Sequence, residues 1–235
     1  MGTILKEYRY TPAKIKRGYS GKSLYLNLTD LRFEQKEITD FMKEKLTGGK
    51  GFDLWYLWHA ITPETRWDSP ENEIVMSVGP LGGITQYSGT GKTVICSISP
   101  LTDIPIDSNV GGYFGPLLKF SGWDAFEIQG KSEKEILIFI DGNNGLIQVE
   151  DASEYPEDTH LLAEELTKKY AEDEDDMVNV SVACTGSGAK HSYMAMVNFS
   201  FYDPRRKVCR FKQAARGGLG TIMHDKKIKA LVVRY

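Results

Sequence analysis

Two glycine-rich segments carry the residues of this sequence that are best suited to hold a ligand. The first, Ser108 to Gly122, reads S-N-V-G-G-Y-F-G-P-L-L-K-F-S-G, and the second, Ala214 to Gly220, reads A-A-R-G-G-L-G. Glycine lets the backbone come close to a ligand, and cationic side chains such as Lys92, Lys212 and Arg216 attract anions. If the two segments meet, they form a positively charged cradle for a bulky phosphate-bearing cofactor. Glycines that serve only a loop-to-helix joint are the structural alternative.

A further phosphate-binding pattern is suggested by S-G-T-G-K-T, Ser88 to Thr93, which ends like a P-loop. The complete pattern requires a glycine where this sequence has Gln86, and it requires a helix after the lysine. The residues that follow, V-I-C-S-I-S, are typical of a strand. We therefore exclude a P-loop nucleotide triphosphatase.

Metal and nucleophile patterns are weak in this sequence. Glu157-x-x-His160 has a spacing that can place a carboxylate and an imidazole on one metal, but no second pair accompanies it. We interpret it as a solvated helix start. The three cysteines, Cys96, Cys184 and Cys209, stand far apart, so neither a disulfide framework nor a zinc or iron–sulfur knuckle is encoded. Each is expected to be a small buried hydrophobic residue.

The composition of the 235 residues is typical of a globular protein, with 41% hydrophobic residues, 26% charged residues and a net charge of −3. Acidic residues concentrate in residues 150–176 and basic residues in residues 205–234. Aromatic residues are not interleaved with the basic ones, as they are in a single-strand nucleic-acid groove. There is no run of about 18 apolar residues and no signal-peptide pattern. The sequence predicts a cytoplasmic protein that binds neither nucleic acid nor a membrane.

The spacing of apolar residues predicts more strands than helices. Helical spacing covers residues 38–46, 52–60 and 159–170, and Pro116 and Gly122 are expected to begin and end a further short helix. Because the strands do not alternate regularly with helices, we expect an α+β fold. Strands are predicted at residues 24–28, 73–78, 93–98, 125–129, 135–140, 146–150, 178–184, 193–199 and 228–234.

Several linked motifs together resemble one known family, the N-terminal domain of tungsten-dependent aldehyde:ferredoxin oxidoreductases. Their order and approximate spacing agree from about Gly21 to the last residue. We therefore divide the chain into an N-terminal extension, residues 1–20, and a cofactor-binding domain, residues 21–235. The motifs are S-P-E-N (69–72), V-G-P-L-G-G (78–83), S-P-L-T (99–102), S-N-V-G-G-Y-F-G (108–115), G-W-D-A (122–125), A-R-G-G-L-G-T-I-M (215–223) and K-A-L-V-V-R (229–234).

The resemblance implies an α+β domain of two mixed β-sheets with short helices, packed on a tungsten (or molybdenum) bis-pyranopterin cofactor. It also implies a Mg²⁺ ion that bridges the two pterin phosphates. The backbone carbonyls of Asn109 and Gln213 occupy the positions of its ligands, and carbonyl oxygen suits this hard cation. The implied cofactor-binding residues are Lys92, Asn109, Gly111, Gly112, Lys212, Gln213, Ala214, Arg216, Gly217 and Gly218.

The sequence also departs from the family's pattern at the implied site. Lys92 stands where the family has an arginine that links the pterin to an iron–sulfur cluster, and lysine lacks the planar fork of donors. Ala215 stands where glycine is usual, so its Cβ could crowd the cofactor. Ser187-Gly188 and His224 also differ from the usual residues.

The family's [4Fe–4S] cysteines and proton-handling residues belong to two later domains that these residues do not include. The resemblance therefore implies a component of an enzyme that oxidises aldehydes to carboxylic acids. Another chain would carry the cluster and pass electrons to ferredoxin, and an oligomer is compatible with this arrangement. Three accounts stay open: one subunit of a split enzyme, a piece of a longer chain, or a stand-alone relic. The alternative function is a non-catalytic scaffold on the same fold with a lost or altered cofactor site.

Overall fold

The computed structural model describes residues 2–235, which form strands and short helices. The strands are β1 (Ile4–Arg9), β2 (Lys22–Asn27), β3 (Arg32–Glu37), β4 (Ile74–Ser77), β5 (Thr93–Ile98), β6 (Pro105–Val110), β7 (Ala125–Gln129), β8 (Ile136–Asp141), β9 (Leu146–Asp151), β10 (Val180–Cys184), β11 (Val197–Asp203), β12 (Val208–Ala214) and β13 (Ile228–Arg234). The α-helices are α1 (Asp40–Lys45), α2 (Lys50–Ala60), α3 (Phe114–Phe120), α4 (Thr159–Tyr170) and α5 (Leu219–Asp225). Two 3₁₀ helices span Asp175–Asn179 and Ser187–His191.

The strands form two mixed sheets. The seven-stranded sheet has the order β1-β9-β8-β13-β10-β11-β12, and the six-stranded sheet has the order β3-β2-β7-β4-β5-β6. The pair β8–β13 in the first sheet and the pair β2–β7 in the second are parallel, whereas the other pairs are antiparallel. The predicted α+β fold with two mixed sheets and short helices is therefore confirmed.

Apolar residues on alternate positions of the strands bury both faces of the seven-stranded sheet. Ile136 and Ile138 of β8 belong to the core between the two sheets, whereas Leu137 and Phe139 belong to a second core beneath α4. Because successive side chains of a strand point to opposite faces, a strand covered on both sides reads as continuously apolar. The helix α3 is buried along its length and contributes Phe114 to the central core.

The six-stranded sheet is covered on its outer face by α2 over part of its width. Phe52 and Leu57 of this helix pack on Val75 of β4 and Cys96 of β5. The strands β2, β7 and β3 continue past the helix, and their outward residues include polar groups such as Glu127. This arrangement leaves a pocket beside α2.

Most predicted elements are confirmed, and the helix α4 begins and ends at the predicted residues. The short helix α3 contains Pro116 in its first turn, and the N–H of Gly122 closes its end by donating to the carbonyl of Lys119. The sequence analysis missed β3, β6, β12 and α5, and it placed β11 too early. The segment Ser108 to Gly122 therefore begins in a strand and not in a loop, because Ser108 lies in β6.

The predicted N-terminal extension, residues 1–20, contributes a strand to the seven-stranded sheet. Strand β1 pairs antiparallel with β9, and Tyr8 lies opposite Ile147. Met1, the first residue of that predicted segment, lies outside the described residues. Within residues 2–235, no helix combines the length and the apolar character that crossing a membrane requires.

Candidate functional site

The two glycine-rich loops follow strands that lie at the edges of different sheets. Strand β6 is an edge of the six-stranded sheet and β12 is an edge of the seven-stranded sheet. These two edge strands lie against each other. The loop of Gly111 and Gly112 leaves β6, and the loop of residues 215–218 leaves β12. The meeting of the two sheets thus brings both loops together.

Direct contacts fix the second loop against β6. The backbone N–H of Arg216 donates to Oγ of Ser108, at 3.2 Å. A Cβ in place of the Gly217 hydrogen would lie 2.4 Å from Cγ2 of Ile106, so only glycine allows this approach. A Cβ on Gly218 would lie 2.1 Å from the carbonyl oxygen of Tyr193. These glycines therefore serve the packing of the chain itself.

A third loop, which the sequence analysis placed near the site only through Lys92, joins the other two. A Cβ on Gly91 would lie 2.2 Å from the carbonyl oxygen of Gly112, so the two glycine backbones touch. Thr93, the next residue after Lys92, begins strand β5, as the exclusion of a P-loop predicted. We use the name loop cradle for the surface formed by residues 91–92, 111–112 and 215–218.

The Gly111 position differs from every packed glycine of the cradle. A Cβ on Gly111 would meet no atom within 4 Å, and its φ lies outside the left-handed range. Gly112 also has open space around it, although its φ of +116° favours glycine. Neither the packing nor the backbone geometry of this chain requires glycine at position 111. The surface in front of the Gly111 backbone is therefore open.

Two cationic residues, Lys92 and Arg216, belong to the loop cradle, and a third, Lys212, lies in β12 just before the segment 215–218. Lys92, Lys212 and Arg216 are exposed, and none of them forms an ion pair with another group in residues 2–235. Lys50 is also near, since its charge acts on Arg216, but Asp107 already neutralises it through a contact of 2.7 Å. This contact raises the pKa of Lys50. The cradle therefore presents uncompensated positive charge, which favours an anionic ligand.

The two implied magnesium ligands lie on the adjoining edge strands. Asn109 of β6 lies opposite Val94 of β5, and Gln213 of β12 lies opposite Asn198 of β11. The side chains of Asn109 and Gln213 are exposed, whereas Ala214 is buried. The amide of Asn109 donates to Oδ2 of Asp107 at 3.3 Å, so its side chain is held along the strand.

The departures from the family pattern fall in two places. Ala215 is exposed at the cradle. His224 lines a cavity of about 770 Å³ together with Trp67 and Tyr193, and Ser187 lines a smaller cavity that His224 also borders.

The cysteines and the carboxylates of residues 2–235 do not form a metal centre. Cys96 and Cys184 are buried, as predicted, and burial raises the pKa of Cys184 to about 12. Cys209 is half-buried, and its thiol donates to Oγ1 of Thr167. Among residues 2–235 there is no group of three histidine, cysteine or acidic side chains placed to hold a metal ion. A cation at the cradle would therefore depend on backbone oxygens.

Sequence reasoning missed the contacts that assemble the cradle. Ser108 and Gly91 belonged to segments singled out for other reasons, and Ile106 and Asp107 carried no signal. The contact between Ser108 and Arg216 joins residues that are 108 positions apart. It follows from the meeting of two sheet edges, which a one-dimensional pattern does not contain.

Comparisons with known proteins agree with this architecture. The family described as "Aldehyde ferredoxin oxidoreductase, N-terminal domain" matches residues 23–235. The chain is 32% identical over 224 residues to the tungsten-containing aldehyde ferredoxin oxidoreductase of Pyrococcus horikoshii and 33% identical over 219 residues to that of Pyrococcus abyssi. Each match covers 92% of this chain and 33% of the relative, so the chain spans about a third of the length of these curated relatives.

A solved structure is similar to the same part of the chain. It is the active site complex BamBC of benzoyl-coenzyme A reductase with 1,5-dienoyl-CoA, with a TM-score of 0.78 and 28% identity. The match covers 92% of this chain and 31% of that chain. By its fold and by the family match over residues 23–235, the chain belongs to the N-terminal domain family of aldehyde ferredoxin oxidoreductases.

Proposed function

We propose that this chain holds one face of a tungsten (or molybdenum) bis-pterin cofactor in an oxidoreductase. The observation that carries the proposal is the loop cradle, where three glycine-containing loops meet beside three exposed cations without ion pairs. The open space at Gly111 supports the approach of a large group to the backbone. Membership in a family of tungsten oxidoreductases favours this role over the scaffold alternative.

The donors of the cradle suit a phosphate-bearing group with a hard cation. In the proposed complex, Lys92, Lys212 and Arg216 bind the phosphates, and arginine can do so with two parallel N–H donors. The carbonyls of Asn109 and Gln213 bind the bridging Mg²⁺, which prefers oxygen ligands. The open backbone at Gly111 and Gly112 allows the pterins to approach, and the cofactor, when bound, supplies a metal that accepts two electrons.

The exposure of the cradle indicates that other residues complete the site. A cofactor site normally buries most of its ligand, whereas Asn109, Gln213 and the three cations are exposed here. We propose that another chain, or a further part of the same protein, supplies the iron–sulfur cluster, the substrate cavity and the acid–base groups. The proposed reaction is the oxidation of an aldehyde to a carboxylic acid in the cytoplasm, with electrons passing to ferredoxin through that partner.

The first test measures the metal and pterin content of the assembled enzyme, purified with the residues that complete it. We expect tungsten or molybdenum together with pterin in the wild-type assembly. The metal and pterin content of the double variant Lys92→Ala/Arg216→Ala should be at least about tenfold lower, because two uncompensated cations are lost from a phosphate site. Circular dichroism and the unfolding midpoint should stay unchanged, since neither side chain forms an ion pair within residues 2–235.

A matched control is Lys6→Ala, which removes an exposed lysine without an ion pair from the opposite edge of the seven-stranded sheet. Its metal and pterin content should equal that of the wild type. The proposal is wrong if the wild-type assembly contains neither metal nor pterin. It is also wrong if the double variant retains as much cofactor as the Lys6→Ala control.

A further inference from the structure

A second pocket lies on the far side of the six-stranded sheet, beside α2, and the proposed cofactor site does not use it. Its volume is about 330 Å³, and strands β2, β3 and β7 form its floor. Five side chains define what we name the glutamate pocket: Tyr25, Lys36, Tyr56, Glu73 and Glu127. With Glu34 and Arg32, which pair with each other at 3.2 Å at its rim, three acids, two cations and two aromatic rings line one small space.

Two buried oxygen atoms of this pocket lack a hydrogen-bond partner in residues 2–235. Glu73 is 1% exposed, and its Oε2 receives no hydrogen bond. Tyr56 is 7% exposed, and no group of the described chain forms a hydrogen bond of ordinary geometry with its hydroxyl, although the side chain of Ser23, which donates to Glu127, lies beside it. A buried polar atom without a partner costs about 1–3 kcal/mol, so such atoms usually mark a place where something else binds.

The pocket also holds more negative than positive groups. Glu127 accepts a hydrogen bond from Oγ of Ser23 at 2.8 Å and forms an ion pair with Lys36. Lys36 is thus committed to Glu127. The buried ammonium of Lys226 is also near Glu73, but it donates to the carbonyl of Gly130 at 2.9 Å. Glu73 therefore has no cation of its own.

Lys36 shows that the aromatic rings of the pocket accept an ammonium group. Its Nζ lies 4.4 Å from the ring centroid of Tyr25 and 5.5 Å from that of Tyr56. These distances are within the range of cation–π attraction. A second ammonium group would meet the same rings and the oxygens of Glu73 and Tyr56, although Arg32 also lies 5.3 Å from the ring centroid of Tyr25.

We propose that the glutamate pocket binds the ammonium group of a small primary amine. The N–H groups of the ammonium would donate to Oε2 of Glu73 and to the hydroxyl of Tyr56, while the rings stabilise its charge. A metal cation fits less well, because residues 2–235 contain no group of three acidic, histidine or cysteine side chains placed to ligate one. A lysine side chain of another protein offers the same chemistry, and the test separates the two sources.

The protonation of Glu73 should be coupled to this binding. Burial and the charge of Glu127 raise the pKa of Glu73 to about 8, although Lys36 and Lys226 act in the opposite direction. Besides the five defining side chains, Arg32, Glu34, His59 and Gln129 are the polar groups that line the pocket. An ammonium ion favours the ionised carboxylate, so binding displaces the proton below the pKa of Glu73.

The test is a titration of the purified 235-residue chain with methylammonium chloride, followed by the backbone amide chemical shifts of residues 25, 56 and 73. Sodium chloride and tetramethylammonium chloride at equal ionic strength serve as comparison salts. We expect saturable shifts with methylammonium at millimolar concentration, and at least tenfold weaker binding of both comparison ions. The affinity should rise at least about tenfold from pH 6 to pH 8, as Glu73 loses its proton.

Two variants locate the site within the pocket. Glu73→Gln should weaken methylammonium binding at least tenfold and abolish its pH dependence, and Tyr56→Phe should weaken it about threefold. The control Glu71→Gln removes an exposed carboxylate two residues away and should bind like the wild type. If Glu73→Gln does not fold, as judged by circular dichroism, Tyr56→Phe and the comparison salts decide the question.

Three results would each overturn the proposal. One is the absence of saturable shifts with methylammonium. Another is equal binding of sodium or tetramethylammonium, which would indicate a general cation effect. The third is saturation by a lysine peptide with none by methylammonium, which would assign the pocket to a protein partner instead of a small amine.

Discussion

The two glycine-rich loops have similar sequences, but their glycines have different structural roles. Both loops leave an edge strand and enter a seven-residue helix. In the second loop, Gly217 and Gly218 have positive φ and no room for a Cβ. In the first loop, a Cβ on Gly111 or Gly112 would meet open space. One loop is thus closed by the chain itself, and the other is left open.

This difference separates a structural glycine from one that keeps a surface clear. The second loop holds the two sheets together, because its backbone contacts β6 through Ser108 and Ile106. Gly111 has no such contact. At Gly111, packing and φ both permit a larger side chain, and its place in the cradle supports the proposal that the open space admits the cofactor. Substitutions in the two loops should therefore fail in different ways.

The largest effect is expected from Gly218→Ala. Its φ is +69°, and the new Cβ would lie 2.1 Å from the carbonyl oxygen of Tyr193, so the backbone must move. We expect the free energy of unfolding to fall by about 3 kcal/mol. Urea denaturation measures it. The control is Gly188→Ala, at a glycine with open space and ordinary φ, which should change stability by less than about 0.5 kcal/mol. Equal free energies of unfolding for the two variants would contradict the claim that packing and φ require glycine at position 218.

An effect of intermediate size is expected from Gly111→Val, and it concerns the cofactor instead of stability. The added side chain enters the open space of the cradle, where its Cβ meets no atom of the chain within 4 Å. The metal and pterin content of the assembled enzyme should fall about tenfold, which corresponds to ~1.4 kcal/mol of binding. The unfolding midpoint should stay within error of the wild type. Gly188→Val, outside the cradle, should retain the full cofactor content; a fall in both variants would contradict the assignment.

The smallest effect is expected from Ser108→Ala, which removes the hydrogen bond between the two loops. The N–H of Arg216 then loses its acceptor, and we expect a loss of about 1 kcal/mol in the free energy of unfolding. Thermal and urea unfolding against Ser88→Ala, an exposed serine, provide the measurement. A Ser108→Ala protein as stable as this control would show that packing alone joins the loops.

The strands that sequence reasoning missed share one position in the fold. Strands β3, β6 and β12 are sheet edges, and β1, which was left open between strand and extension, is an edge as well. An edge strand has exposed, charged residues, as in the R-F-E-Q-K-E of β3, and so loses the apolar signal. Interior strands such as β5 and β8 are buried on both faces, and their continuous apolar runs predicted them correctly.

The candidate site could be predicted only in part for the same reason. The glycines and the cations were found from their residue types, but β6 and β12, the strands that position them, were not. The glutamate pocket gave no signal at all, because Glu73 is a single acid just before the apolar strand β4 and Glu127 is a single acid within β7. Their proximity depends on the pairing of β4 with β7, in which Val75 lies opposite Glu127.

The strand pairing also determines which parts of the two sheets can form first as the chain folds. Ile4 of β1 pairs with Glu150, so β1 has no partner strand until β9 has been synthesised. Strand β2 pairs early with β3, but its other partner, β7, follows about a hundred residues later, where Ser23 lies opposite Ala125. Contacts this distant in sequence slow folding, since loop closure precedes any gain from pairing. During synthesis, β1 and one edge of β2 therefore stay unpaired until the strands β9 and β7 have been made.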